Sequence, residues 1–304
     1  MPAGPITTGA HPKALWPGVW NWFGASYDEH PEEFSQVFDV ETSTKNFEED
    51  VQMNGFGLAP VKNQSKGVDY VGHVQGWVKR YIPVVYGLGY IVTREELDDN
   101  LYEEVSRKRA QALAFAMRQT KEIVHANVLN RATTAAYTGG DGSVLMVATH
   151  PSDAGTWSNI LAPAADISED ALEDLCTQVM GFTDNQGNKI NLMPRCVIVP
   201  RQLWFETNRI LYSALQNDTA NNALNVLKST SALPDGIKMN HYLTDTDAYF
   251  VKTNCPRGLI SVKRRAIEFT KDNEFSTENA LAKATERYDA GWTDPRCLCG
   301  SPGA

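Results

Sequence analysis

The 304-residue sequence lacks the residue spacings that metal and redox sites require. None of its six histidines stands in a His-x-His or His-Glu-x-x-His pattern, and none of its five cysteines belongs to a Cys-x-x-Cys pair. An odd number of cysteines without a framework spacing is typical of a protein made in a reducing cytoplasm. We therefore expect no metal, no cofactor and no structural disulfide.

The usual signatures of enzymes are also missing. The sequence has no Walker A motif and no Gly-x-Ser-x-Gly elbow, and Gly87-Leu88-Gly89 lacks the third glycine of a dinucleotide site. His150-Pro151-Ser152-Asp153 does place a base, a nucleophile and an acid in one short run. Because triads are assembled across a fold, we interpret this run as a turn after a strand from Val144 to Ala148. A soluble hydrolase using His150 and Asp153 is kept as an alternative.

Two further absences limit the partners. Nowhere do about eighteen apolar residues run together, and Met1 to Pro5 has neither the basic nor the apolar part of a signal peptide. We therefore expect no membrane partner. The net charge is -9, and the basic clusters are short and lie among acidic residues. Tight DNA binding needs a basic stripe, so we expect only loose, non-specific contact with DNA.

Large aromatic residues are abundant in the first fifty residues, where prolines discourage long regular elements. Trp16, Trp20 and Trp22 lie in this segment. So many large rings need a surface to cover, either the core of their own chain or a neighbouring molecule.

Residues 51–90 predict a long two-stranded ribbon. The turn-rich stretch from Lys62 to Gly67 separates two extended runs, and apolar residues such as Tyr70 and Trp77 occur on both faces. An isolated two-stranded ribbon is marginal in water, so we expect it to lie on something else.

A helix is predicted to begin at Thr93. Thr93 and Glu96 form a capping-box pattern, and apolar residues then recur on one broad face without proline or glycine until Gly139. A helix of about 38 residues would be about 57 Å long at 1.5 Å per residue. We interpret it as a strut.

The region from Gly140 to Asp247 is typical of a compact α/β unit. Its predicted elements are a helix capped near Ser168 and ending about Met180, a buried strand at 196–199, a helix opened by Pro200, and a surface loop at 217–222. Further strands are predicted at 249–251, 259–262 and 266–269.

An ordered set of segments resembles the major head subunit of Mu-like and related tailed bacteriophages. The segments, which run over nearly the whole chain, are Phe38-Asp39-Val40-Glu41-Thr42, Gly55-Phe56-Gly57-Leu58-Ala59-Pro60, Val85-Tyr86-Gly87-Leu88-Gly89-Tyr90, Ile91-Val92-Thr93-Arg94-Glu95, Ala148-Thr149-His150-Pro151, Gly155-Thr156-Trp157-Ser158-Asn159, Asn222-Ala223-Leu224-Asn225-Val226-Leu227 and Arg287-Tyr288-Asp289-Ala290-Gly291-Trp292-Thr293-Asp294-Pro295-Arg296, with Gly300-Ser301-Pro302-Gly303-Ala304 at the end.

The resemblance implies an α+β fold of the HK97-like capsid type. Its expected parts are an N-terminal arm (1–50), an extended loop (51–86), a peripheral domain with the long spine helix (87–139), an axial domain (140–247), peripheral strands (248–285) and a C-terminal segment returning to the axial domain (286–304).

The function that the resemblance implies is a structural, non-enzymatic major capsid protein. It would assemble in the host bacterial cytoplasm into hexamers and pentamers of an icosahedral head around the phage genome, with portal, scaffold and cement or decoration proteins as further partners. An encapsulin-like compartment with the same fold is an alternative. The expected inter-subunit contacts are Trp16, Trp20, Trp22, Lys62, Lys66, Tyr70, Trp77 and Arg80.

Cys297 and Cys299 depart from the small or aromatic residues expected near the end of this family. Because glycine and proline flank them, we expect a tail with little regular structure and partly accessible thiols. A bridge would need two Cα atoms within about 7 Å, and the sequence gives no reason for that, so we expect free thiols. We likewise expect no covalent cross-link through Lys62 or Lys66.

Overall fold

The computed structural model of the chain describes residues 17–53, 55–72, 75–98, 102–215, 224–274 and 276–304. The side chains of residues 17–22, 97–98 and 102–105 lie outside this description. The α-helices of the described residues are α1 (Pro17–Glu29), α2 (Arg94–Asp98), α3 (Tyr102–Asn130), α4 (Glu169–Met180), α5 (Trp204–Tyr212) and α6 (Val226–Ser229). Short 3₁₀ helices cover Phe34–Gln36, Arg201–Leu203 and Pro295–Cys297.

The strands form two larger sheets and two small ones. They are β1 (Asp39–Thr42), β2 (Glu48–Met53), β3 (Gln75–Tyr81), β4 (Val84–Val92), β5 (His150–Ser152), β6 (Gly155–Trp157), β7 (Pro194–Pro200), β8 (Ile237–Asn240), β9 (Tyr249–Thr253), β10 (Leu259–Asn273), β11 (Ala280–Trp292) and β12 (Leu298–Ser301). The first sheet has the order β1-β10-β11-β4, and the second has the order β12-β9-β7-β8. Strands β2 and β3 form an antiparallel ribbon, and β5 and β6 form a hairpin.

The first sheet packs one face against the long helix α3. Small residues of β11, Ala280, Ala282 and Ala284, point into this core, which lets the helix approach the sheet closely. Leu113 and Met117 of α3 fill the space, together with aromatic residues of α1. The alternation of buried and accessible residues along β11 is what a half-buried strand requires.

The second sheet is covered on both faces. Val197 and Val199 of β7 lie in a core with α4 and α5, whereas Cys196 and Ile198 lie in a core on the opposite face. That second core includes Leu129 at the C-terminal end of α3, so the long helix joins the two sheets. Because both faces of this strand are buried, its residues 196–199 are all apolar, and this continuous apolar run allowed the sequence to predict a buried strand.

The predicted 38-residue helix is wrong in length. The helix α3 has 29 residues, which corresponds to about 44 Å at 1.5 Å per residue. Thr93 does cap α2, because its Oγ1 accepts the Glu96 amide at 3.4 Å. However, the Glu96 carboxylate contacts the Arg109 guanidinium at 2.9 Å. In one straight helix these residues would be about 20 Å apart along the axis, so α2 and α3 are not collinear.

The N-terminal segment is more regular than predicted, because residues 17–29 form the helix α1. Pro17 occupies its first position, where a missing N–H costs nothing, so this proline starts a helix instead of preventing one. The predicted strand at 144–148 is also wrong. That stretch is irregular, although its side chains Leu145 and Met146 are fully buried.

The ribbon differs from the prediction beyond its base. Strands β2 and β3 pair from Glu48↔Tyr81 to Met53↔Gln75. Residues 55–72 contain no strand, although the predicted turn is present, with the Lys66 amide donating to the Asn63 carbonyl at 3.2 Å. Val85, which was expected in the ribbon, belongs to β4 of the first sheet.

Other predicted elements are confirmed. Ser168 caps α4 by accepting the Ala171 amide at 3.1 Å, and the helix ends at Met180. The strands predicted at 259–262 and 266–269 are one long strand, β10, with two irregularities. The loop predicted at 217–222 lies outside the described residues.

Several boundaries placed on the sequence fall inside strands. Position 50 lies within β2, position 86 within β4 and position 285 within β11. The strand β9, expected among the peripheral strands, pairs with β7 and β12 in the second sheet. A hydrophobic pattern does not indicate which sheet a strand joins, so the sequence alone could not place these domain boundaries correctly. Among the described residues, no helix has the length and apolar character needed to cross a membrane.

Candidate inter-subunit surface

Residues 55–72, called here the 55–72 segment, are exposed without exception. Leu58 is 85%, Val61 91% and Tyr70 96% accessible to solvent. Phe56, Val68 and Val71 are also exposed. A contiguous run of large apolar side chains in water marks an interaction surface, because a monomer gains nothing from leaving it uncovered.

The ribbon that carries this segment is fixed at its base. The Tyr81 hydroxyl lies 2.7 Å from Thr293 Oγ1, and the Thr293 hydroxyl donates to Asp50 Oδ2 at 2.9 Å. The Ile82 amide donates to Asp289 at 2.9 Å. These bonds join both ribbon strands to the end of β11. The 55–72 segment therefore projects from a rigid attachment.

The contact residues predicted from the sequence fall into three groups. Lys62, Lys66 and Tyr70 are exposed in the 55–72 segment. Trp77 and Arg80 also make contacts within their own chain, and their contact with a neighbouring subunit stays a prediction. The Trp77 ring packs against Gly140, so closely that a Cβ added to this glycine would lie 3.0 Å from Trp77 Cδ2.

Arg80 pairs with Glu49 at 2.5 Å and stacks over the Phe47 ring. Trp20 and Trp22 lie on α1, but their side chains are outside the described part, and Trp16 lies outside it altogether. Among the predicted contact residues whose side chains are described, Lys62, Lys66 and Tyr70 lie together in the 55–72 segment.

A polar network ties the N-terminal segment to α3 and β11. Lys121 Nζ lies 2.6 Å from Glu286 Oε1, and both side chains are buried. The Tyr27 hydroxyl donates to the same carboxylate at 3.3 Å, and burial raises the pKa of Tyr27. Arg118 pairs with Glu32 and donates to the Tyr27 carbonyl at 3.0 Å. A buried charge is tolerated only when it is paired and hydrogen-bonded in this way.

Glu122 follows Lys121 directly on α3, and His125 lies about one turn further along. The Glu122 carboxylate accepts the amides of Glu33 and Phe34, each at 3.0 Å, yet burial raises its pKa to about 7. His125 Nδ1 donates to the Lys121 carbonyl and Nε2 accepts from Ser261, both at 2.7 Å. Burial lowers the pKa of His125 to about 4, so the ring is neutral at pH 7.

His150 does not belong to a catalytic triad. Its Nδ1 faces Asp141 Oδ2 at 2.8 Å and its Nε2 faces Asn159 Oδ1 at 3.1 Å, so both ring nitrogens point at acceptors. With its two nitrogens facing Asp141 and Asn159, the ring makes no hydrogen bond to Ser152. Ser152 donates to the Gly155 carbonyl and Asp153 accepts from Gln186. The three residues have separate partners, which removes the basis for the hydrolase alternative.

Gly87 and Gly89 lie inside β4, where a Cβ on Gly89 would be 2.7 Å from the Ala282 carbonyl oxygen. They serve close strand packing and lack the strand-turn-helix context of a dinucleotide site. Within the described residues, no group of three or more His, Cys, Asp or Glu side chains is placed to hold a metal ion.

The predicted accessibility of Cys297 and Cys299 is wrong. Both are fully buried, Cys299 lies in the strand β12, and burial raises the pKa of both thiols, that of Cys299 to about 12. All five cysteines are free. Apolar neighbours such as Leu298 place this terminal segment inside the cores of the second sheet, which flanking glycines and prolines concealed.

Sequence reasoning missed a second exposed surface, on α5. Phe205 is 76% accessible and Tyr212 is also exposed, while Ile210 and Leu211 of the same helix are buried. The signal was available, since positions 205 and 212 fall on the helix face opposite the buried pair.

A family model described as phage capsid protein matches residues 78–300, which is more than half of the chain. No curated protein matches the sequence. Solved structures share the fold. The procapsid of bacteriophage JBD30 superimposes with a TM-score of 0.52 at 17% identity, covering 97% of this chain and 76% of that one.

The capsid of the Myoviridae phage XM1 gives a TM-score of 0.51 at 10% identity, covering 99% of this chain and 100% of that one. A virus-like particle from Pyrococcus furiosus gives 0.51 at 10% identity, covering 94% and 99%. At such identities the likeness concerns the fold, and it confirms the predicted α+β fold of the HK97-like capsid type.

Proposed function

We propose, from the premise that the chain belongs to the phage capsid protein family, that its 55–72 segment docks on a neighbouring subunit when hexamers and pentamers of the shell form. The chain is a structural subunit of an icosahedral phage capsid and not an enzyme. One observation carries the proposal: an uninterrupted exposed segment with large apolar side chains stands on a ribbon whose base is fixed.

Physical chemistry supports a second copy as the surface that this segment covers. Burying apolar area is favourable by about 25 cal/mol per Å², and the isolated subunit buries little of the area of these side chains. The fixed base reduces the entropy lost on docking, because only the segment itself has to become ordered.

The expected division of the chain is proposed with the corrections given above. The arm comprises residues up to about 50, and the extended loop comprises the ribbon with the 55–72 segment. The peripheral domain contains the first sheet and α3, and the axial domain contains the second sheet with α4 and α5. In this division β9 and β12 belong to the axial domain.

The finer identity and partners are also proposals. The ordered segments supporting the Mu-like branch run from Phe38 to Ala304. Portal, scaffold and cement or decoration proteins, loose contact with packaged DNA and assembly in the host cytoplasm go with that identity. Five free cysteines and a net charge of -9 support the last two points. The family match favours this reading over an encapsulin-like compartment.

Replacing residues 57–70 by a short Gly-Ser linker tests the proposal. The replacement leaves β2 and β3 intact, unlike a deletion of residues 63–78, which would remove part of β3. We expect a folded monomer whose unfolding free energy changes by no more than about 0.5 kcal/mol, because no core residue is lost. Shells should be absent from electron micrographs.

Asn63→Ser with Gln64→Ser is the matched control, because it alters the same segment and keeps every apolar side chain. It should assemble like the unaltered chain. Normal shells from the chain that lacks residues 57–70 would show that the segment is not an assembly element.

A further inference from the structure

The helices α4 and α5 cover the same face of the second sheet but over different strands. Helix α4 packs on β12, β9 and β7, and α5 packs on β7 and β8. Both contribute to one core, through Leu172 and Leu175 on α4 and Ile210 on α5. On this one face of the sheet, α4 therefore lies toward the β12 edge and α5 toward the β8 edge. Each helix turns its outer face to solvent.

The exposed face of α5 carries aromatic and basic side chains together with one exposed acid, Glu206. Phe205, Arg209 and Tyr212 follow the spacing i, i+4, i+7 and are all exposed. Arg201, just before the helix, is exposed as well. Among the residues that the structure describes, neither arginine has an ion-pair partner, and Phe205 and Tyr212 are 76% and 53% accessible to solvent.

The exposed face of α4 is acidic and ends in an apolar groove. Asp170 and Asp174 are exposed and Glu173 is half-buried, and no ion pair engages these three carboxylates within the described residues. The groove, of about 610 Å³, opens beside Glu173 and is lined by Met180, Met193 and Val226 among others. These three apolar side chains are all substantially exposed in the isolated chain.

We infer that the α5 face of one subunit docks on the α4 face of a second copy, with Phe205 entering the Met180 groove and Arg209 meeting Glu173. Two independent features agree on this occupant. The charges are opposite, and a protruding aromatic ring faces a groove rimmed by methionines, whose thioethers pack well against rings. The inference rests on the shell function and names two of the surfaces that build it.

The contact is head-to-tail, because the two faces are different surfaces of the same chain. Such heterologous contacts generate closed rings when the rotation between copies closes. A ring of shell subunits needs this kind of contact, and an isologous dimer does not. Both faces belong to helices that cover the second sheet, so the contact is separate from the 55–72 segment, which projects from the β2–β3 ribbon.

Charge reversal tests the pairing in the full-length chain. Because like charges at every contact of a ring repel and the effect is repeated at each subunit, Arg209→Glu and Glu173→Arg should each lower the yield of shells by about tenfold or more. The double variant Arg209→Glu/Glu173→Arg restores an opposite-charge pair and should return the yield to within about threefold of the unaltered chain. Shells are counted in electron micrographs after matched purification.

The matched control is Glu206→Arg, which changes the charge by the same amount at an exposed position beside Phe205. It should not lower the yield of shells, since it replaces an exposed acid of the α5 face by a positive charge that would meet the acids of α4. Circular dichroism should show all four variants folded, because every altered side chain is at least partly exposed.

Normal assembly of either single variant would overturn the inference, as would a double variant that stays as defective as the singles. An unaltered chain that forms no particles would instead overturn the shell function.

Discussion

In the 55–72 segment every residue is exposed, whereas β11 of the first sheet buries alternate residues along its length. The segment carries some of the largest exposed apolar side chains of the chain, and the sheet carries a buried ion pair surrounded by aromatic rings. The two regions thus reverse the usual placement of apolar and charged groups. The sheet region therefore stabilises the subunit, while the segment is available for contacts that the subunit alone does not make.

Breaking the buried pair should give the largest effect on subunit stability. Lys121→Met leaves the Glu286 carboxylate buried without its cation, so we expect a loss of about 3–5 kcal/mol in the free energy of unfolding. Denaturant unfolding of the subunit measures it. Lys45→Met is the control, because it removes an exposed partner of Glu48 and should cost no more than about 1 kcal/mol. Equal losses in the two variants would contradict the assigned role of the network.

The titration of His125 and Glu122 on α3 should have a smaller effect on the free energy of unfolding, because the contributions of the two groups oppose each other. Because the pKa of His125 is lowered to about 4, the neutral ring stabilises the fold above pH 6.5, and this stability is lost as the pH falls toward 4. The pKa of Glu122 is raised to about 7, so its contribution is lost as the pH rises from 4.5 to 7. From pH 7 to pH 5, His125 should lower the free energy of unfolding by about 2 kcal/mol and Glu122 should raise it by about the same amount.

The unaltered chain should therefore change little in stability between pH 7 and pH 5 through these two groups. His125→Gln should become relatively more stable on acidification, and Glu122→Gln relatively less stable. Thermal melts of the three chains at both pH values measure this. If both variants shift in the same direction, the assignment of the two groups is wrong.

The cysteines should give the smallest effect. Since Cys297 and Cys299 are buried and their pKa values are raised, their thiols should not react with a thiol reagent in the folded subunit. Reductant should leave the melting temperature unchanged, and a non-reducing gel should show a single chain. A reductant-sensitive dimer band would contradict the burial of these thiols.

The elements most predictable from the sequence were those with a local signal. The cap at Ser168, the buried strand from Cys196 to Val199 and the turn after Asn63 all follow from neighbouring residues. That α2 and α3 are not collinear is evident from a contact between Glu96 and Arg109, which no periodicity reveals. The membership of β9 in the second sheet is likewise a long-range property.

The candidate surface was predictable in part for the same reason. Tyr70 and the two lysines were recognisable because they flank a turn in an extended run. Trp77 and Arg80, also expected to reach a neighbour, contact Gly140 and Glu49 of their own chain, which the sequence pattern did not indicate, and their contact with a neighbour stays a prediction. Partners far away in the sequence decide whether an exposed-looking residue is free.

An electron micrograph reconstruction of the purified, assembled protein tests the central claim most directly. We expect a closed icosahedral shell in which residues 55–72 of each subunit lie against a neighbouring subunit and become buried. A protein that remains a monomer or a small oligomer at high concentration, or a shell whose 55–72 segments still point into solvent, would contradict it.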